Sequence, residues 1–182
     1  HVAADPVPIS VNHVMPTVVL ATVVLPVYDM DGEVVNLRAL LDTGSNASFI
    51  TERALRKLKL VRRPCNVQVN SVGSGKPQPV NGCVSLSIGW VNENQSGVLD
   101  VNALIMNKVV RILPPVKLAS INLPQFVTSL ADPQWNEPGP IDILLGAEVY
   151  YQVVTTGAVS VDGVSFIATI FGFAISGQIE SV

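Results

Sequence analysis

A mainly apolar run, residues 35–41, ends abruptly at the tetrapeptide Asp42-Thr43-Gly44-Ser45. Helical spacing of apolar residues begins soon afterwards, at Ile50, Ala54, Leu55 and Leu58. A carboxylate at the end of a buried strand can be held by backbone N–H groups, and Gly44 allows the backbone to approach it closely. A surface Asx-turn uses the same residue types. The pattern therefore predicts a strand, a tight turn and a helix, and these residues alone leave the role of Asp42 open.

The rest of the chain consists mostly of short β-rich runs that are separated by turn signals. Val18–Tyr28 and Glu33–Leu41 flank the turn "DMDG" and predict a hairpin. Residues 65–90 alternate apolar and polar side chains around a Gly- and Pro-rich tip at Gly73–Pro77, which predicts a long hairpin. Val98–Val110 is another strand region, a short helix is expected after Gly146, and a last hairpin is expected to turn at Asp162-Gly163. The predicted class is mainly β with two or three short helices.

One segment interrupts this pattern. Residues 114–140 contain six prolines and a possible short helix, Pro124–Leu130. Neither a repeat of fixed period nor an internal domain boundary is visible in the sequence. We therefore expect a single domain over residues 1–182, with its core at about 15–177 and an inserted Pro-rich segment at about 112–140.

Composition narrows the function classes. Charged residues make up 14% of the chain and hydrophobic residues 48%, so the protein has apolar surface to bury and self-association is plausible. The net charge is −3, whereas a protein that binds the phosphates of nucleic acid usually carries excess positive charge. The basic residues between Arg53 and Arg63 are more typical of a solvated helix face than of an RNA-binding patch. The longest apolar runs are too short to span a bilayer. We expect neither nucleic acid nor membrane as a partner.

The residues that could bind a metal or form a disulfide are few. Cys65 and Cys83 are too few for a disulfide framework, and a bridge between them is left open. His1 and His13 are isolated, so no metal and no cofactor is predicted. The chain begins at His1 and shows no signal peptide, which leads us to expect a piece of a longer protein.

The order of motifs resembles a known family. "ALLDTGS", a helix, a Gly-rich hairpin, further strands and then "IDILLG" follow one another as they do in retropepsin-like aspartic proteases. More narrowly, "ALLDTGSNASFITERALRKLKL", "LADPQWNEPGPIDILLGAEVYY" and "IFGFAISG" resemble the peptidase domain of Pao-type (BEL-like) LTR retrotransposon polyproteins, and the likeness covers about residues 15–177. The resemblance implies a closed β-barrel-like sheet with a flap hairpin and two or three short helices, one lobe per chain.

The resemblance also implies roles for individual residues. Asp42 is expected to be the catalytic carboxyl, Thr43 to hydrogen bond across a dimer, and Gly44 to allow close backbone approach. From its place in the turn, rather than from the resemblance, the Ser45 hydroxyl is expected to donate to the Asp42 carboxylate and tune it. The remaining expected residues form two groups: a flap over the substrate (Val72, Gly73, Ser74 and Gly75) and an element that supports the catalytic turn (Leu144, Leu145 and Gly146).

The sequence contains only one DTG motif. Aspartic protease chemistry needs two carboxyl groups, so the second must come from another copy of the chain. We therefore expect an aspartic endopeptidase that acts as a homodimer on peptide segments of its own polyprotein inside the cell. The alternative is a catalytically inactive or domesticated retropepsin fold kept as a dimerisation or protein-binding module. The intact DTG motif favours the enzyme.

The sequence departs from many retroviral relatives near the motif. Those proteins carry a small apolar residue and then an aspartate after the glycine, where this chain has Ser45 and Asn46. They also carry an arginine shortly after the supporting glycine, whereas Ala147 and Glu148 follow here. Because both partners of the usual ion pair are absent, we expect a different local network around the turn.

Overall fold

The computed structural model describes residues 17–69, 78–92 and 95–179, which form twelve strands and two short helices. The strands are β1 (Thr17–Val19), β2 (Thr22–Tyr28), β3 (Val34–Leu41), β4 (Ser48–Thr51), β5 (Gln68–Val69), β6 (Gln78–Pro79), β7 (Cys83–Val91), β8 (Ser96–Met106), β9 (Ile143–Leu145), β10 (Val154–Val161), β11 (Val164–Thr169) and β12 (Gly172–Ile179). The helices are α1 (Glu52–Leu58) and α2 (Ala147–Val153). Neither helix is long and apolar enough to cross a membrane.

Six strands close a barrel in the order β2-β3-β9-β4-β8-β7. The predicted first hairpin is confirmed, since β2 and β3 pair antiparallel from Thr22↔Leu40 to Tyr28↔Val34. Alternate residues of β2 (Val23, Leu25 and Val27) are fully buried in the barrel core, as expected for strands with one face turned inward. β9 lies between β3 and β4, parallel to the first and antiparallel to the second. The predicted mainly β class with a closed barrel-like sheet is confirmed.

A second sheet has the order β1-β12-β11-β10. The predicted hairpin turn at Asp162-Gly163 joins β10 to β11, and both residues have positive φ (49° and 81°), as a two-residue hairpin turn requires. The Pro-rich segment packs on this sheet, where Leu118 and Trp135 join Phe166 and Ile175 in one buried cluster. The segment therefore packs on the second sheet through this cluster, while Ala131 also joins the barrel core.

Helix α1 confirms the prediction made from the spacing that follows the turn. The Thr51 hydroxyl caps it by accepting a hydrogen bond from the Ala54 N–H at 3.1 Å. Leu55 and Leu58 are buried against the barrel, and Lys59 ends the helix with φ of 54°. Ile50, the first apolar residue of the predicted helical spacing, lies in β4 and not in the helix. β4 remains paired up to Thr51, the N-cap residue of α1.

Two expectations need correction within the described residues. The possible helix Pro124–Leu130 is absent: a single turn closes with the Val127 N–H donating to the Pro124 carbonyl at 3.0 Å. Leu130 then forms a bridge with Phe173 of β12, so pairing with the sheet replaces helix propagation. The expected strand Val98–Val110 instead ends at Met106 in β8. The long hairpin is described only in its stem, where β5 pairs with β6, and the predicted flap residues Val72–Gly75 lie outside the described residues.

Candidate active site

Asp42 follows the last residue of β3 and is held by the turn that it begins. Its N–H donates to the Leu145 carbonyl at 3.0 Å, and the Gly44 N–H donates to its carboxylate Oδ1 at 2.9 Å. The Ser45 N–H closes the turn by donating to the Asp42 carbonyl at 3.3 Å. A backbone donor therefore holds a half-buried carboxylate at the end of a buried strand, and the strand and tight turn predicted from the sequence are both present.

The predicted supporting element lies directly beside this turn. Leu41 is paired with Leu145 across β3 and β9, and Leu144 is paired with Phe49 of β4. Beyond the end of β9, the Ala147 N–H donates to the Ser45 carbonyl at 2.8 Å. β9 therefore contacts the chain on both sides of residues 42–47 and holds the two ends of the catalytic turn.

The two glycines of the site, Gly44 and Gly146, differ in how closely other atoms approach them. A Cβ added to Gly146 would lie 2.6 Å from the Ala47 carbonyl oxygen, closer than real side chains come. A Cβ added to Gly44 would lie 3.2 Å from Oδ1 of Asp42, which is tight but allows a small shift. Gly146 is therefore required for packing of the supporting element, whereas Gly44 leaves room at the carboxylate.

A hydrogen-bond network centred on Ser48 joins the turn to helix α2. The fully buried Ser48 hydroxyl accepts a bond from the Gly146 N–H at 3.0 Å and donates to Oε1 of Glu148 at 2.7 Å. Glu148 lies in the first turn of α2, where a negative charge is favourable. This network includes Glu148, one of the residues at which the sequence departs from retroviral relatives, and the sequence alone did not identify Ser48 as its centre.

The prediction for the Ser45 side chain differs from the structure. Its hydroxyl donates to the Ala47 carbonyl at 2.7 Å and makes no contact with the Asp42 carboxylate. A serine hydroxyl has only one proton, and a carbonyl two residues ahead is a common local acceptor for it. The bond to Asp42 comes instead from the Gly44 backbone.

Thr43 occupies the tip of the turn. Its side chain is exposed, and its hydroxyl has no hydrogen-bond partner among the described residues. It is therefore available for contact with a second copy, which remains a prediction. The predicted flap residues Val72, Gly73, Ser74 and Gly75 lie outside the described residues.

Arg38, four residues before Asp42 on β3, binds the inserted segment. Its Nε donates to Oδ2 of Asp132 at 2.5 Å, and Nη1 donates to the Leu113 carbonyl at 2.6 Å. Asp132 also accepts a bond from the Thr22 hydroxyl at 2.6 Å. Leu113 and Gly139 exchange both backbone hydrogen bonds, which closes the two ends of the segment beside this arginine. Asp132 lies in a stretch that the sequence analysis singled out, but its pairing with Arg38 was not predicted, because two residues so distant in sequence leave no local pattern.

A second buried carboxylate, Asp142, lies just before β9. Its Oδ1 accepts bonds from the Thr51 hydroxyl at 2.7 Å and from Nη2 of Arg53 at 2.8 Å. Its N–H donates to the Arg38 carbonyl at 2.9 Å. Asp142 therefore connects the start of α1 to the supporting element.

Across residues 17–69, 78–92 and 95–179, no group of three or more His, Cys, Asp or Glu side chains is placed to hold a metal ion.

Comparison with known families identifies the chain. The profile of a family described as aspartyl protease matches residues 27–149, which is more than half of the sequence and includes both Asp42 and Gly146. The chain belongs to this aspartyl protease family. No curated protein shows a significant match to it.

Two solved structures resemble this aspartyl protease family member over most of its length. The retroviral protease-like domain of Ddi1 from Leishmania major is 10% identical, with a TM-score of 0.40, and the match covers 91% of this chain and 96% of that one. A retropepsin-like aspartic protease from Rickettsia conorii is 11% identical, with a TM-score of 0.32, and the match covers 92% of this chain and 98% of that one.

Proposed function

We propose that the chain is an aspartic endopeptidase, active as a homodimer, that cleaves extended peptide segments of a Pao-type LTR retrotransposon polyprotein. The observation that carries the proposal is the placement of one Asp42 carboxylate in a turn held from behind by β9. In this chemistry an ionised carboxylate takes a proton from water while a protonated carboxyl polarises the scissile carbonyl. Each active site therefore needs two carboxyl groups, one on each side of a single water molecule.

The other buried carboxylates already have structural partners. Asp132 binds Arg38 and Thr22, while Asp142 binds Thr51 and Arg53. Asp162 lies in the β10–β11 hairpin turn and lacks the intervening hydroxyl residue of a DTG motif. A second copy of Asp42 is the remaining source, brought in across a twofold axis. The exposed Thr43 hydroxyl would contact the other subunit beside it.

The retrotransposon origin rests on the resemblance of residues 130–151 and 170–177 to Pao-type peptidase domains. In the structure these stretches meet where Leu130 pairs with Phe173, and the first of them contains Asp132, which binds Arg38 on the catalytic strand. The inserted segment is thus part of the support of the proposed site. The substrate would be a polyprotein within the cell, bound in extended form and covered by the predicted flap residues Val72–Gly75.

The proposal is tested by incubating the purified chain with a peptide library at several pH values, with and without a statine-type inhibitor. We expect inhibitor-sensitive cleavage that Asp42→Asn abolishes without loss of fold, because the substitution removes the titrating group and keeps its shape. Asp162→Asn is the matched control, since asparagine tolerates the positive φ of that turn. A rate near wild type in Asp42→Asn would show that another residue performs the chemistry.

The dimer is tested by a dilution series combined with sedimentation. Specific activity should fall once the protein is diluted below the dimer dissociation constant, because a monomer holds only one of the two carboxyl groups. Full activity from a species shown to be monomeric would contradict the proposed homodimer. A stable dimer without cleavage of any peptide would instead favour the alternative, a dimerisation or protein-binding module.

A further inference from the structure

The two cysteines of the chain, far apart in sequence, are brought together at the edge of β7. Arg63 and Cys83 exchange both backbone hydrogen bonds, at 2.8 and 2.9 Å, and form an antiparallel bridge. Cys65 lies two residues beyond Arg63, on the stretch of chain that this bridge holds against the start of β7. In an antiparallel pair such a diagonal neighbour lies on the same face, within reach of the opposite side chain.

Both thiols are free and only half-buried, so a small reagent can reach them. Partial burial raises the pKa of the Cys65 thiol, and the neighbouring Cys83 raises it further through charge repulsion and through their hydrogen bond. The bridge therefore holds the two thiols near each other before any oxidation. Diagonal neighbours are about 7–8 Å apart, slightly more than a disulfide spans, so forming the bond needs a small movement of the backbone around Cys65.

We propose that Cys65 and Cys83 form a reversible disulfide, with a low-molecular-weight disulfide such as oxidised glutathione as the electron acceptor. The thiolate of one cysteine attacks the glutathione disulfide, forms a mixed disulfide and releases one glutathione thiolate. The thiolate of the other cysteine then attacks the protein sulphur of the mixed disulfide and displaces the second glutathione. Two cysteine S–H bonds are lost, one S–S bond forms, and two reduced glutathione molecules carry away the two electrons and two protons.

The bond would join the start of β7 to the chain that leads into the β5–β6 stem. Residues 61–69 contact the barrel side through the bridge at Arg63, through Arg62, which binds Glu52 and the Asn81 carbonyl, and through a bond from the Arg63 guanidinium to the Ser85 hydroxyl at 2.7 Å. Within the described part of the chain, the stem that follows consists of two residue pairs between β5 and β6. A disulfide from Cys65 to Cys83 closes the chain around this stem, so it should stabilise the folded state by restricting the unfolded one.

The test uses the intact protein equilibrated in buffers of defined reduced and oxidised glutathione. Cleavage before lysine places Cys65 in residues 59–75 and Cys83 in residues 76–107, so mass spectrometry identifies the bond as a link between these two peptides. We expect the native protein to form the bond at a ratio of oxidised to reduced glutathione about 10-fold lower than the urea-unfolded protein needs. Because the two equilibria are linked, the urea midpoint should also rise on oxidation.

Single variants give the matched controls. Cys65→Ser and Cys83→Ser should each take up one glutathione and show no increase in urea midpoint under the same conditions. The proposal is overturned if native wild type oxidises no more readily than the unfolded chain. It is equally overturned if mixed glutathione disulfides accumulate on both cysteines, or if the bonds join two chains, which non-reducing electrophoresis detects.

Discussion

The Arg38 guanidinium and the Asp132 carboxylate form an ion pair that fastens the inserted segment to the strand leading into Asp42. The pair is buried, with side-chain exposures of 11% and 1%. Nη2 of Arg38 also binds the Gln134 carbonyl at 3.0 Å, and the Gln134 N–H donates to Oδ1 of Asp132 at 3.0 Å. Arg38 thus donates hydrogen bonds to polar groups that lose their hydrogen bonds with water when they are buried.

Removing one partner of this pair should destabilise the protein strongly. We expect Arg38→Met or Asp132→Asn to lower the free energy of unfolding by about 3–5 kcal/mol, because a buried charge is left without its partner. Urea unfolding measures the change. The control is Lys117→Met, which removes an exposed pair with Glu137 and should cost about 0.5 kcal/mol or less. Equal losses in Arg38→Met and Lys117→Met would contradict an anchoring role for Arg38.

The hydroxyl groups of Ser45 and Ser48 should have different effects when removed. Ser48→Ala leaves the buried Gly146 N–H without its acceptor, which should cost about 1–3 kcal/mol and reduce cleavage. Ser45→Ala removes only a local bond to the Ala47 carbonyl, so the pH dependence of cleavage should be the same as in wild type. A displaced acid limb in Ser45→Ala would mean that its hydroxyl binds the carboxylate in the active dimer.

The sequence predicted those parts of the fold that depend on local patterns. The Asp42 turn, helix α1 and the Asp162-Gly163 hairpin follow from the preferences of a few adjacent residues. The Ser48–Glu148 bond and the Arg38–Asp132 pair join residues about a hundred positions apart, and only the folded chain brings them together. At Pro124–Leu130 a helix was predicted from the sequence but is absent. Phe126 packs against Phe166 and Phe173 there, and the backbone is irregular.

The two glycines of the site should respond differently to an added methyl group. In Gly146→Ala the new Cβ would meet both the Ala47 carbonyl oxygen and Oε2 of Glu148 at 2.6 Å, and the backbone oxygen cannot easily move. We expect a loss of about 1–3 kcal/mol in unfolding free energy, as for other overpacked sites. Gly44→Ala, at 3.2 Å from Asp42, should leave stability nearly unchanged and reduce cleavage. A stable, active Gly146→Ala protein would show that β9 can shift without cost.

The pH dependence of alkylation provides a check on the thiol contact. Cys83→Ala should lower the pKa of Cys65, because it removes both the charge repulsion and the hydrogen bond, but partial burial should keep the pKa above its ordinary value. The rate of reaction with iodoacetamide, measured against pH, reports this shift. The pKa of Cys65 is higher in the folded state than in the unfolded chain. The contribution of this thiol to the free energy of unfolding is therefore lost as the pH rises through the raised pKa. An identical alkylation profile in Cys83→Ala would mean that the thiols do not interact.

Mixing active and inactive chains tests whether each site uses two copies of Asp42. Wild type preincubated with a ninefold excess of Asp42→Asn, above the dimer dissociation constant, should retain only about one tenth of its activity, because most wild-type chains then pair with an inactive partner. A double variant, Asp42→Asn with Thr43→Ala, should inhibit less if the exposed Thr43 hydroxyl bonds across the dimer. The measurement is the initial rate after subunit exchange, with equal excess of the Asp42→Asn/Arg38→Met protein as a control for general destabilisation. Undiminished activity in a mixture shown to contain heterodimers would mean that one Asp42 is sufficient, and the second carboxyl would have to come from elsewhere in the chain.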